Sequence, residues 1–109
     1  MILLSAIAIL AQPPSLEQAQ TCRAHMELLI EDAAVDGGHV AGPTWFISSR
    51  WDRQAETLGA PDDDGAVLGL LKTGLGLMQA DEPVRFAAER QDCVNTAIDA
   101  GAVPGMGPG

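Results

Sequence analysis

Tyrosine is absent from this chain, and its aromatic residues are two tryptophans and two phenylalanines. A surface that stacks nucleobases or sugar rings therefore has very little material to be built from. Basic residues are also scarce. Six Lys and Arg stand against 15 Asp and Glu, a formal net charge of -9 with a pI near 4.3. That excess repels phosphate backbones and anionic headgroups, so nucleic-acid binding and docking on acidic lipid are disfavoured. No uninterrupted apolar run reaches the roughly 20 residues a membrane-crossing helix needs. Cysteine occurs twice, at Cys22 and Cys93, separated by 71 positions, a spacing that excludes a CxxC redox pair or a zinc knuckle. What remains is either two free thiols or one long-range bridge.

The amino terminus bears on compartment. Residues 1–11, Met-Ile-Leu-Leu-Ser-Ala-Ile-Ala-Ile-Leu-Ala, are uncharged and apolar and give way abruptly to Gln12-Pro13-Pro14-Ser15. The stretch is too short to span about 30 Å of hydrocarbon as a helix, but it has the length of a signal-peptide apolar region, with small residues at Ala6, Ala8 and Ala11. The expectation is a signal peptide over 1–11, a helical domain over 12–101, and a periplasmic or secreted location. In an oxidising compartment the bridge between Cys22 and Cys93 is the favoured reading.

The remaining pattern is helical throughout. Ser15-Leu16-Glu17-Gln18 has the form of a capping box behind two prolines, and Leu16, Ala19, Cys22, Met26, Leu29, Ile30 and Ala33 then recur at spacings of three and four until Asp36-Gly37-Gly38. A second helix opens at Gly42-Pro43-Thr44 and ends near Gly59-Ala60-Pro61, with the stripe Ile47, Trp51, Ala55 and Leu58. A third begins at Pro61-Asp62-Asp63-Asp64, whose carboxylates suit the positive end of a helix, and carries Val67, Leu68, Leu71, Leu75 and Met78. Gly69, Gly74 and Gly76 weaken it, each costing about 1 kcal/mol relative to Ala. The fourth runs from Asp81-Glu82-Pro83 to Gly101, with Val84, Ala87, Ala88, Val94, Ala97 and Ile98 inward. Residues 102–109 form a Gly/Pro tail expected to be disordered. These segments define an all-α fold, a small antiparallel bundle of about four helices. In an up-down-up-down arrangement the first helix starts and the last ends at the same end, which places Cys22 and Cys93 at similar height.

The search for chemistry gives near misses. Asp62-Asp63-Asp64-Gly65 lacks the alternation of a calcium loop and has Thr73 where the bidentate Glu belongs. Leu71-Lys72-Thr73 lacks the preceding glycine and strand of a phosphate loop. His25 and His39 have no partners at metal-ligand or nucleophile spacing, so both read as ordinary surface or half-buried histidines. No cofactor, metal site or catalytic residue is expected, and an enzyme is the least favoured class.

The cysteine in the first helix, the aromatic-plus-Arg segment Phe46-Ile47-Ser48-Ser49-Arg50-Trp51-Asp52-Arg53 and the closing Arg90-Gln91-Asp92-Cys93 resemble small uncharacterised exported two-cysteine helical proteins of Gram-negative bacteria. The resemblance implies a periplasmic all-α domain and transfers no active site. One feature departs from a simple bundle. Ile47, Ala55 and Leu58 lie within about 40° of Trp51 around the second helix, whereas Trp45 lies about 120° and Phe46 about 140° away. Either these two fold over the bundle end against the Gly37–Gly42 loop, or they form an exposed patch with Arg50 one turn on and able to stack on Phe46. Trp45, Phe46 and Arg50 are thus the candidate interaction patch for a protein partner. The alternative is a small apolar ligand held between helices, in space left by Gly69, Gly74 and Gly76. Neither the partner nor the oligomeric state is legible.

Overall fold

The computed structural model describes residues 14–35 and 37–106. The expected signal peptide over 1–11 lies outside them. Four helices follow in chain order: α1 (Leu16–Val35), α2 (Gly42–Thr57), α3 (Gly65–Asp81) and α4 (Pro83–Asp99). No strand occurs among the described residues, and the helices pack as a four-helix bundle.

Local sequence sets the ends. The Ser15 hydroxyl accepts the Gln18 amide at 3.1 Å, so half of the capping box forms and starts α1. Two other helices stop by the same device. Gly59 and Gly101 adopt φ of 101° and 83°, a left-handed geometry that glycine enters without a Cβ penalty. The amides of Ala60 and Ala102 then reach back to the carbonyls of Ala55 and Ala97, and those of Gly59 and Gly101 to Glu56 and Ile98. Between α3 and α4 a single residue, Glu82, leaves the helical region because the following Pro83 disfavours it there.

The carboxyl-terminal turn corrects one expectation. By reversing the chain, the Gly101 turn lays Ala102 and Val103 back onto the bundle, and Val103 is only 5% exposed in the main core. The packed domain therefore extends past Gly101, at least to Val103.

Helix α1 is central. It packs against each of the other three, whereas α2 and α3 do not touch. Its residues Gln20 and Arg23 meet Asp64 while Glu27 and Glu31 meet Lys72, so α1 and α3 run in the same direction side by side. The main core joins Ala19, Cys22 and Met26 of α1 with Ile47, Trp51 and Ala55 of α2, Cys93 and Ala97 of α4, and Val103. A second, smaller cluster joins Ala24 with Leu75 of α3 and Phe86 of α4. Cys22 and Cys93 are bridged within the main core, with Cα atoms 5.5 Å apart, and the Trp51 indole N–H donates to the Cys93 carbonyl at 3.0 Å.

The inward face of α4 differs from the expected one in its first half. Phe86, Cys93 and Ala97 are buried, whereas Val84, Ala87 and Ala88 are exposed. Alanines lie on several sides of this helix, and burial of the one aromatic ring outweighs burial of three small side chains.

Candidate functional site

Pro43 sits at the start of α2 and commits the following residues to its first turn, Trp45 and Phe46 among them. Both are about half exposed, 53% and 48%, while Ile47, Ser48 and Trp51 are buried. About half of each ring's surface is therefore open to water. Full burial of a Trp or Phe hides about 150–250 Å², so the uncovered part is on the order of 200 Å² for the pair. A depression of about 210 Å³ lies between the end of α1 and the start of α2, lined by Leu29, Ala33, His39, Val40, Ala41 and Thr44, the residue before Trp45. Trp45 and Phe46 are thus brought together at one end of the bundle. Arg50 is not added to them. It lines a separate groove with Pro14, Trp51, Gln54, Thr96, Ala97 and Ala100, and the expected stacking on Phe46 is not formed.

The arginine that does stack is Arg90, whose guanidinium lies 4.6 Å from the centre of the Phe86 ring. Against the same ring stands His25, fully buried, its centroid 5.1 Å from that of Phe86. The His25 Nε2 is 2.8 Å from a Glu89 carboxylate oxygen, which fixes Nε2 as the donor in the neutral ring and leaves Nδ1 an acceptor without a donor. Burial pushes the His25 pKa down from its usual value, and the nearby Arg90 charge acts in the same sense, against the pull of Glu89. His25 is therefore a core histidine held neutral. Sealed from solvent, it is not placed to exchange a proton with an external substrate.

A second polar group ties α1 to the start of α3. The Asp64 carboxylate, expected to cap α3, makes no capping hydrogen bond. It turns instead to the Gln20 amide at 2.9 Å and the Arg23 guanidinium at 2.5 Å, and Arg23 also donates to Asp52 at 2.9 Å. The hydrogen bond from Gln20, with the bond and charge of Arg23, holds the Asp64 carboxyl below the usual carboxylate range although burial pushes it upward. Arg23, Asp52 and Asp64 line a cleft of about 240 Å³ with Glu56 and Asp62. Among the described residues no group of three His, Cys, Asp or Glu is disposed to hold a metal ion.

Sequence reasoning missed both polar groups. The Cys22–Cys93 bridge could have given the first: in antiparallel helices, one turn further along α1 from Cys22 is His25, and one turn back along α4 from Cys93 are Glu89 and Arg90. No comparable register connects α1 to α3.

The comparisons with known proteins decide nothing further. No family model, no curated protein and no solved structure shows significant similarity to the chain.

No helix among the described residues is long and apolar enough to cross a membrane. Gly74 and Gly76 are exposed, and a Cβ added to Gly69, Gly74 or Gly76 would meet nothing within 4 Å. Gly74 and Gly76 therefore face outward.

Proposed function

We propose that this chain is an exported helical protein-interaction module, working in the periplasm or outside the cell, whose contact surface is centred on Trp45 and Phe46. The observation that carries the reading is the exposure of these two rings, side by side on the first turn of α2, in a chain with only four aromatic residues. Large aromatic side chains exposed together are the composition of interface anchors. Covering about 200 Å² of such surface yields about 5 kcal/mol before the costs of association, enough for the centre of an interface but not for a whole one. The depression at the start of α2, which reaches Thr44, supports it as a place for an apolar side chain of the partner. The apolar N-terminal stretch and the buried Cys22–Cys93 bridge support export, since such a bridge persists in an oxidising compartment.

The test is photo-crosslinking in the periplasm from a benzophenone side chain placed at Trp45, with the same group at Asp99, on the far end of α4, as the control. A discrete adduct from position 45 alone supports the surface. Equal adducts from both positions, or none from either, contradict it.

A further inference from the structure

Helix α3 is apolar on more than one side. From Gly65 to Ala80 it carries one charged residue, Lys72, and that side chain is turned onto Glu27 and Glu31 of α1. A helix of this kind is normally covered on each apolar side. This one is covered on the face that carries Leu68, Leu71, Leu75 and Met78, while Leu70 and Leu77 are 76% and 63% exposed and Val67 about half. Val67, Leu70, Gly74 and Leu77 follow one another at spacings of three, four and three, and fall within about 80° around the axis. That is the spacing of a helix–helix seam.

The glycine in the seam has no reason within the chain. Gly74 has no left-handed backbone, a Cβ there would touch nothing, and it weakens the helix. A notch of this kind admits a side chain from outside. The order of sizes says which one. About Lys72 as midpoint, Leu70 and Gly74 are equidistant, and so are Val67 and Leu77. Two antiparallel copies of the helix would therefore set each Leu70 over the other's Gly74 and each Val67 against the other's Leu77.

We propose that α3 packs against α3 of a second copy of this chain, antiparallel, through Val67, Leu70, Gly74 and Leu77. This surface is separate from Trp45 and Phe46 and does not depend on their role. No charge lies within the seam, so two strongly acidic chains can meet there. The exposed Asp62 and Asp63 before α3 come opposite Asp81 and Glu82 after it, a like-charge contact at both ends that salt screens. A helix of 17 residues, about 25 Å long, offers on the order of 400 Å² per copy, so the pair buries about 800 Å². Stable complexes need about 1,200–2,000 Å². An area below that of stable complexes fits a weak, reversible dimer and not a permanent one.

Sedimentation equilibrium of the exported protein, purified from the periplasm, from about 10 μM to 1 mM tests this. The apparent mass should rise from that of the monomer toward twice that value, and more steeply at 0.5 M than at 0.05 M NaCl. Leu70→Glu should remove the association with the helical circular dichroism unchanged. Gly74→Leu separates the notch from monomer stability: it should raise the melting midpoint of the dilute protein by about 5 °C, because an exposed helical glycine is replaced, yet weaken self-association at least tenfold. A chain monomeric at 1 mM in both salts overturns the proposal and leaves the face to a partner with basic ends. Association that survives Leu70→Glu, or that Gly74→Leu strengthens, overturns it as well.

Discussion

Replacing Cys22 and Cys93 together by alanine removes the only covalent tie between the first and last helices. The bridge closes a loop of 71 residues, and on the chain-entropy model its loss frees the unfolded chain by about 4 kcal/mol. The total stability of a domain this size is about 5–15 kcal/mol. Each kcal/mol shifts the midpoint of such a domain by roughly 4–8 °C, so the melting midpoint should fall by about 15–30 °C. The core adds to the loss, because the two sulfurs sit among Ala19, Met26, Trp51 and Ala97, and small replacements leave space beside the Trp51 ring. Thermal unfolding followed by circular dichroism at 222 nm, wild type against the double variant, measures this. Adding a reductant to the wild type should give a shift of the same order. A shift under about 5 °C in both would refute the reasoning, since the bridge would then constrain a chain already compact when unfolded.

Two polar groups give further outcomes. The folded-state pKa of His25 lies below its unfolded value of about 6.5, so the unfolded chain takes up the extra proton: stability is full above about pH 6.5 and declines as pH falls below it, by up to about 1 kcal/mol per pH unit. His25→Gln keeps a donor for Glu89 and does not titrate, so denaturant midpoints between pH 7 and 5 should fall less steeply in that variant; parallel slopes would contradict the assignment. Asp64→Asn should cost about 1.5–3 kcal/mol near neutral pH by weakening the bonds to Gln20 and Arg23. Because the Asp64 pKa is depressed, its contribution is present above about pH 4 and lost as pH falls further, so wild type and variant should converge there.

The parts of the fold that were legible in the sequence are those set by short-range chemistry. Ser15, Pro43, Gly59, Pro83 and Gly101 mark helix ends through their own backbone preferences, and each does so in the structure. The stripe of α2 was legible because Ile47, Trp51 and Ala55 are its only consistent apolar face. Where a helix has apolar residues on more than one side, periodicity does not choose between them. Val67 and Val84 were both read as inward for that reason, and both stand exposed. Asp64 and Val103 were misread for a different one: their partners are Gln20, Arg23 and the main core, distant in sequence, and these contacts outweigh the local preferences for capping and for a loose Gly/Pro tail. Within the candidate patch, the angular offset of Trp45 and Phe46 from Trp51 set them off the core stripe but left open whether they fold over the bundle end or stand exposed, and the rotamer of Arg50 was not written in its spacing.

The account rests on a division of labour between two tryptophans six residues apart, one building the core and one left outside it. Thermal unfolding of Trp45→Ser/Phe46→Ser beside Trp51→Ala, each paired with crosslinking in the periplasm from a photoreactive group at Ala41 next to the patch, tests it most directly. Trp51→Ala should cost about 3–5 kcal/mol, through the lost ring and its bond to Cys93. The double variant should cost under about 2 kcal/mol, remain folded, and lose the crosslinked partner. If the double variant unfolds as readily as Trp51→Ala, or stays folded and keeps its adduct, Trp45 and Phe46 are not the contact surface and the proposed function fails.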